Sequence, residues 1–123
     1  MIRKKILLVD DSTTILMVEE MALNNGVYEF IRAKNGLEAI EIAAAERPDL
    51  ILLDINMPKM DGFEACKKLR SQTETSETPI IMVTTRAEIV NLETGYQSGC
   101  NDYITKPIDN IELVAKVKNY LGE

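Results

Sequence analysis

Histidine is absent from this sequence of 123 residues. That absence excludes catalysis by a histidine side chain, a histidine metal ligand and a phosphohistidine on the chain itself. Cysteine is scarce: Cys66 and Cys100 lie far apart and form no Cys-x-x-Cys pattern. We therefore expect two reduced thiols that serve as packing residues.

Long apolar runs are also missing, and none approaches the ~18 residues that a membrane helix needs. The basic start is followed only by the apolar run Ile6 to Val9, which is shorter than the ~7–15 residues of a signal peptide. Basic residues number 14 against 20 acidic ones, and the net charge of −6 argues against direct nucleic-acid binding. We expect a cytoplasmic protein without membrane insertion, with one domain over residues 1–123.

The stretch that ends at Asp54 is the most informative in the chain. Leu50 to Leu53 form a continuous apolar run, which is typical of a strand covered on both faces in a parallel sheet. Asp54 ends the run, and ligand sites of open α/β sheets lie at the carboxyl ends of strands. Taken alone, Asp54 could instead begin a turn before Met57 and Pro58.

Apolar strands and helical patterns alternate along the whole chain. Strands are predicted at Lys5 to Val9, Val27 to Ala33, Leu50 to Leu53, Ile80 to Val83 and Asp102 to Thr105. Capping-box patterns at Asn35 to Glu38 and Asp61 to Glu64 open the second and third helices. Residues 71–78 are polar and are expected to form a solvated loop. The alternation predicts an α/β domain with a parallel sheet, right-handed crossovers and helices on both faces.

Two helices show apolar residues at helical spacing. In the first helix they are Ile15, Val18, Met21 and Ala22, and in the last they are Ile111, Val114, Val117 and Leu121. Gly26 is expected to end the first helix in a left-handed conformation.

Polar residues follow four of the five predicted strands. They are Asp10 and Asp11 after the first, Asp54 after the third, Thr84 after the fourth and Lys106 after the fifth. Three acids at one sheet edge would raise each other's pKa values, and Mg²⁺, which takes oxygen ligands, removes that conflict. Lys106 and Thr84 are donors suited to an anionic group beside the metal. Together they predict a phosphoryl-transfer site. Singly, the two aspartates could cap a helix, Thr84 could be a strand-end hydroxyl and Lys106 a surface charge.

The chain resembles the receiver domains of two-component response regulators, and its layout is most similar to the single-domain chemotaxis type. The shared motifs are Val9-Asp-Asp-Ser12, Leu53-Asp-Ile-Asn-Met-Pro58, Met60-Asp-Gly62, Val83-Thr84 and Tyr103-Ile-Thr-Lys-Pro107. The separations also agree, since Thr84 and Lys106 lie 30 and 52 residues after Asp54. The resemblance covers essentially the whole chain. It implies a flavodoxin-like (βα)5 fold, a doubly wound five-stranded parallel sheet with strand order 2-1-3-4-5.

The resemblance also implies a role for each site residue. Asp54 would accept a phosphoryl group from the phosphohistidine of a partner histidine kinase or from a small acyl phosphate. Asp11, Asp54 and the main-chain carbonyl of Asn56 would bind Mg²⁺, for which Mn²⁺ could substitute, and Asp10 would act mainly through a metal-bound water. The remaining roles fall to Lys106, Thr84 and Tyr103.

Lys106 would pair with a phosphoryl oxygen, and Thr84 would hydrogen-bond to the attached phosphoryl group. Tyr103 would then favour its buried rotamer, which makes the domain a two-state switch. The Lys106–Pro107 bond is typically cis in this family. The resemblance implies a signalling protein, not an enzyme acting on other substrates: it would catalyse only its own phosphorylation and dephosphorylation and signal to a downstream target protein. We expect a monomer, with dimerisation on phosphorylation left open.

Three positions depart from the family pattern or vary within it. Thr85 stands where the family usually has a smaller residue, so access to Asp54 is expected to be narrower. Arg86 and Asn56 border the path of the attacking water and are expected to tune the phosphoryl lifetime. A nearly neutral face resembles the family's partner surface, with ordinary core and rim as the alternative. Its members are Ile89, Val90, Tyr96 and Tyr103.

Two other classes share parts of this pattern. A haloacid-dehalogenase-like phosphatase needs a second Asp two residues after the nucleophile, where this chain has Asn56. A flavodoxin-like FMN-binding module needs a hydroxyl- and Gly-rich phosphate loop, and Asp10 and Asp11 would repel that phosphate. A receiver excised from a longer regulator is compatible with the main interpretation, and the start at Met1 and the lack of a trailing linker favour a stand-alone protein. Chemotaxis or motility control is expected by analogy.

Overall fold

The computed structural model describes residues 3–85 and 92–123. Five parallel strands alternate with five α-helices within these ranges. The strands are β1 (Lys4–Val9), β2 (Tyr28–Ala33), β3 (Leu50–Asp54), β4 (Ile80–Thr84) and β5 (Asp102–Thr105). The helices are α1 (Thr13–Leu23), α2 (Gly36–Glu46), α3 (Gly62–Ser71), α4 (Leu92–Gln97) and α5 (Asn110–Leu121). A short 3₁₀ turn, Thr73–Thr75, follows α3.

The sheet has the order β2-β1-β3-β4-β5, and every neighbouring pair is parallel. The predicted fold and strand order are confirmed. The register aligns the carboxyl ends of the strands, because Val9 pairs with both Ala33 and Leu53 and Thr84 pairs with Thr105. All residues of β3 and β4 are buried, as expected for central strands covered by helices on both faces.

Alternate side chains of the strands enter two apolar layers, because successive residues of a strand point to opposite faces. One layer includes Leu7, Leu53, Met82, Ala43 of α2 and Leu69 of α3. The other includes Leu8, Leu52, Ile81, Leu16 of α1 and Val117 of α5. Cys66 and Cys100 are free thiols buried in the first layer, as predicted. Burial raises the pKa of the Cys66 thiol to about 11, which keeps it protonated.

Side-chain caps open the helices at the predicted positions. The Asn35 carboxamide oxygen accepts a hydrogen bond from the amide of Glu38 at 2.8 Å, and the Asp61 carboxylate accepts one from the amide of Glu64 at 2.9 Å. Gly26 has the predicted left-handed conformation, with φ of +80°, but its predicted role as the helix cap is wrong, because α1 ends at Leu23 and its C-cap is Asn24 in an extended conformation. No helix in the described part of the chain is long and apolar enough to cross a membrane.

Helical spacing identified α1 and α5 but not the faces that they bury. In α1 the buried residues are Leu16, Glu19 and Leu23, whereas Met21 is 76% exposed. In α5 the buried residues are Leu113, Val117 and Leu121, whereas Ile111 is 83% exposed. Both helices carry apolar residues on more than one face, so the face is chosen by packing against the sheet. One consequence is that an acid, Glu19, lies in the core.

The expectation of a fully solvated loop at residues 71–78 is wrong for Thr75, which is buried. Arg70 explains the order of this segment, because its guanidinium donates to the carbonyls of Thr75 at 3.0 Å and Thr78 at 2.6 Å. The same side chain donates to the carbonyl of Gly99 at 2.8 Å and to the Asn101 carboxamide oxygen at 2.7 Å. A guanidinium with five fixed donors can therefore join two loops at the amino edge of the sheet.

Candidate functional site

Three carboxylates meet at the carboxyl edge of the sheet. Asp10, Asp11 and Asp54 each contribute one carboxylate oxygen, and these three oxygens lie within 4.8 Å of one another. Asp10 and Asp54 are 1% and 3% exposed, whereas Asp11 is open to solvent. The pairing of Val9 with Leu53 accounts for this arrangement, because it places the residues that follow β1 beside the end of β3.

The backbone around Asp10 fixes its carboxylate. Its amide donates to the carbonyl of Ala33 at 3.1 Å, which continues the β1–β2 pairing by one residue. Its Oδ1 accepts a hydrogen bond from the amide of Ser12 at 2.9 Å. The Ser12 hydroxyl in turn caps α1 by accepting from the amide of Ile15. The turn that starts α1 therefore also orients Asp10.

Gly62 allows α3 to begin directly against the end of β3. Its amide donates to the carbonyl of Ile55 at 2.8 Å. A Cβ at this position would come within 2.6 Å of both the Asp54 carbonyl oxygen and the Ile55 Cα. Those are backbone atoms that cannot rotate away, so a larger residue would displace the segment that carries Asp54.

Lys106 supplies the positive charge of the site. Its Nζ lies 3.2 Å from Asp10 Oδ2 and 3.3 Å from Asp54 Oδ1. Its amide donates to the carbonyl of Thr84 at 2.6 Å, which fixes the segment after β5 against the end of β4. The Lys106–Pro107 bond is cis, as the resemblance implied.

Burial and mutual repulsion shape the proton affinities of the site. Burial and then the charge of Asp10 raise the pKa of Asp54 to about 6, against the opposing effects of Lys106 and of a hydrogen bond from the Asn56 backbone. Burial alone would lower the pKa of Lys106, but Asp54 and Asp10 outweigh it and the net pKa is raised. Asp54 is therefore ionised at neutral pH, and Lys106 is a cation.

The donor set fits Mg²⁺. It consists of carboxylate oxygens, which a hard divalent cation prefers, with no thiol or imidazole among the three residues. Three carboxylates face the single ammonium of Lys106 across the described site. The remaining negative charge, together with the raised pKa of Asp54, means that a divalent cation would relieve repulsion there.

The other predicted site residues lie around this group. Thr84 is buried at the end of β4, and its hydroxyl donates to the carbonyl of Thr85 at 3.2 Å. Asn56 is exposed just after Asp54. Tyr103 is half-buried on β5, and Lys116 Nζ lies 5.1 Å from its ring centroid and 2.7 Å from its carbonyl oxygen. Arg86, Ile89 and Val90 lie outside the described residues.

One residue near the site was not identified from the sequence. Glu19 is 1% exposed, and its Oε1 has no hydrogen-bond partner among the described residues. Burial and then the charge of Asp10 raise its pKa to about 8, whereas Lys106 lowers it. The sequence does contain a signal for its burial. Glu19 lies three residues after Leu16 and four before Leu23, and residues at this spacing share one face of a helix.

Comparisons with known proteins agree on one family. The profile of the response regulator receiver domain matches residues 6–118. The alkaline phosphatase synthesis transcriptional regulatory protein PhoP of Bacillus subtilis is 42% identical over 96% of this chain, which spans about half (48%) of that protein's length. The polar-differentiation response regulator DivK of Brucella anthropi is 38% identical, and 98% of each chain is covered. The chemotaxis response regulator CheY4 of Vibrio cholerae superposes with a TM-score of 0.89 at 34% identity, covering 97% of this chain and 99% of that one.

Proposed function

Because this chain belongs to the response regulator receiver domain family of two-component signalling, we propose that Asp54 accepts a phosphoryl group from the phosphohistidine of a histidine kinase or from a small acyl phosphate. The observation that carries the proposal is the position of Asp54. Its buried carboxylate ends a central strand beside two other carboxylates and lies 3.3 Å from the ammonium of Lys106.

In the proposed reaction an Asp54 carboxylate oxygen attacks the phosphorus atom. A P–O bond forms as the P–N bond of the donor breaks, and the leaving imidazole nitrogen keeps the electron pair. Because the pKa of Asp54 is about 6, its carboxylate is in the nucleophilic, ionised form at neutral pH. Lys106, which already contacts Asp54, pairs with an oxygen of the transferred group.

Asp10, Asp11, Asp54 and the carbonyl of Asn56 are the groups that would hold Mg²⁺ or Mn²⁺. The cation would supply charge neutralisation, which together with positioning is most of what phosphoryl transfer requires from a protein. On this proposal the chain catalyses only its own phosphorylation and dephosphorylation. Arg86 and Asn56 tune the lifetime of the phosphoryl group, and Thr85 narrows access to Asp54.

The output of the switch would be a protein contact. The Thr84 hydroxyl, which donates to the Thr85 carbonyl in the resting state, turns to the phosphoryl group, and Tyr103 shifts to its buried rotamer. A downstream target then binds the face formed by α4, β5 and α5. Similarity to CheY4, which is named as a chemotaxis response regulator, favours chemotaxis or motility control. The protein would act in the cytoplasm, where we propose that its kinase and target meet it.

The proposal is tested by intact-mass spectrometry after incubation with acetyl phosphate. We expect the mass to rise by one phosphoryl group when Mg²⁺ or Mn²⁺ is present, and not after chelation of divalent cations. The physical reason is that two buried carboxylates would otherwise repel an anionic donor. Equal incorporation with and without a divalent cation would contradict the role assigned to the three aspartates.

A further inference from the structure

Lys116 of α5 contacts the main chain of β5 at Tyr103. Its Nζ lies 2.7 Å from the carbonyl oxygen of Tyr103 and 2.9 Å from Asp102 Oδ1. The Asp102 carboxylate is itself held in place, because its Oδ1 accepts a hydrogen bond from the amide of Tyr103 at 2.8 Å and its Oδ2 lies 3.2 Å from the Tyr120 hydroxyl. Two of the three N–H donors of the ammonium therefore have acceptors of fixed position.

The same ammonium lies over the face of the Tyr103 ring. The distance from Nζ to the ring centroid is 5.1 Å, which is within the ~6 Å over which a cation is attracted to an aromatic face. The Lys116 side chain is only 27% exposed, so water screens this attraction in part. The ring of Tyr103 is therefore attracted to the place that it occupies in the resting state.

This contact depends on the χ1 rotamer of Tyr103. Staggered rotamers differ by about 120°, and a change of that size moves the ring by several ångströms. The ammonium cannot follow the ring, because it is held by Asp102 and by the carbonyl oxygen of Tyr103. Tyr103 is half-buried with the contact in place, and a ring turned fully into the core would lose it.

Tyr103 is also the residue whose change of rotamer belongs to the proposed switch. Resting on that proposed function, we propose that Lys116 is a positioning residue that holds Tyr103 in its resting rotamer through the positive charge above the ring. An attraction that is present in only one of two states favours that state. Phosphorylation of Asp54 must overcome this contact, so removing the charge of Lys116 brings the chain closer to the activated state.

The first test measures the Tyr103 rotamer in the unphosphorylated chain. Three-bond NMR couplings from Cγ to the backbone nitrogen and carbonyl carbon report the χ1 populations. Lys116→Met removes the charge and keeps a side chain of similar length, so the ratio of buried to resting rotamer should rise about two- to fivefold. Lys118→Met is the matched control: it makes the same change at an exposed position of the same helix and should leave the ratio unchanged.

The second test measures the affinity for beryllofluoride in the presence of Mg²⁺, followed by ¹⁹F NMR of the bound anion. Beryllofluoride is a stable analogue of a phosphoryl group on a carboxylate. The affinity for a ligand that selects one state rises with the fraction of that state, so Lys116→Met should bind it about two- to fivefold more tightly. Lys118→Met should bind it with unchanged affinity. A merely structural Lys116 would not give tighter binding when its ion pair with Asp102 is lost.

Substitution of the ring separates the cation–ring contact from the other contacts of Lys116. In a Tyr103→Phe background, Lys116→Met should still increase beryllofluoride affinity, because phenylalanine keeps an aromatic face. In a Tyr103→Leu background it should have no effect. Urea unfolding shows that each variant is folded.

Two kinds of failure are distinguishable. The same effect of Lys116→Met in the Phe and Leu backgrounds, or an unchanged Tyr103 rotamer ratio in Lys116→Met, would overturn the inference and leave the proposed function intact. An unsubstituted protein that does not bind beryllofluoride, or whose Tyr103 keeps its rotamer when saturated with it, would instead overturn the proposed switch and the inference with it.

Discussion

Asp54→Asn is expected to abolish phosphoryl incorporation from acetyl phosphate in the presence of Mg²⁺. An amide cannot act as the nucleophile, because it lacks the ionised oxygen of the Asp54 carboxylate. The fold should survive, because Asn has nearly the same shape and places no charge in a site that raises the pKa of Asp54 by burial. Incorporation is followed by intact mass, and folding by urea unfolding.

Asp109→Asn is the matched control for that experiment. Asp109 caps α5 through the amides of Ile111 and Glu112, and Asn caps helices about as well as Asp. This variant makes the same chemical change outside the acidic cluster, so it should incorporate phosphoryl at the rate of the unsubstituted protein. Incorporation into Asp54→Asn at more than a trace level would show that another residue is the acceptor.

Glu19→Met is expected to stabilise the protein at neutral and alkaline pH. Glu19 has a pKa of about 8 in the folded chain, against 4.5 for an unperturbed glutamate side chain. Between those pH values the folded state binds a proton that the unfolded state has lost. Stability therefore falls as pH rises from about 4.5 to 8, by roughly 3–5 kcal/mol in total. Methionine has similar length and no titrating group, so the Glu19→Met variant should not show this fall in stability as pH rises.

The measurement is urea unfolding at a series of pH values from about 4 to 9. The difference between Glu19→Met and the unsubstituted protein should grow across this range and level off above about pH 8. Asp54 contributes a similar fall between its unperturbed value of 3.8 and about 6, but it is present in both proteins and cancels in the difference. Glu41→Met, on an exposed position of α2, should change stability by less than about 0.5 kcal/mol. A difference that did not depend on pH would mean that Glu19 is not buried as a titrating acid.

Sequence patterns predicted the alternating strands and helices of a parallel sheet and the central group of the site, and the family resemblance supplied the strand order. Leu50 to Leu53 form an apolar run that is typical of a strand covered on both faces, and β3 is buried along its whole length. Parallel strands bring their carboxyl ends to one edge, so Asp10, Asp54 and Lys106 could be placed together from the order of elements alone. Motif and spacing then identified the family.

The remaining features depend on packing that local patterns do not encode. Spacing marked α1 as a helix, but its apolar residues occur on more than one face, and only contact with the sheet determines that Leu16 is buried and Met21 exposed. Glu19 was missed because an acidic residue is normally assigned to the solvent-exposed face of a helix. Thr75 was assigned to a solvated loop because its order depends on Arg70, a contact within the folded segment that composition does not reveal.

The most direct test of the account is to locate the phosphoryl group by chemistry. An acyl phosphate is reduced by borohydride, which converts the modified aspartate to homoserine, and peptide mass spectrometry then identifies the position. The protein is treated with acetyl phosphate and Mg²⁺, with a chelated sample as the control. We predict homoserine at residue 54 alone, and only in the sample with Mg²⁺. Homoserine at residue 10 or 11, or equal conversion in the chelated sample, would contradict the assignment of Asp54 as a cation-dependent phosphoacceptor.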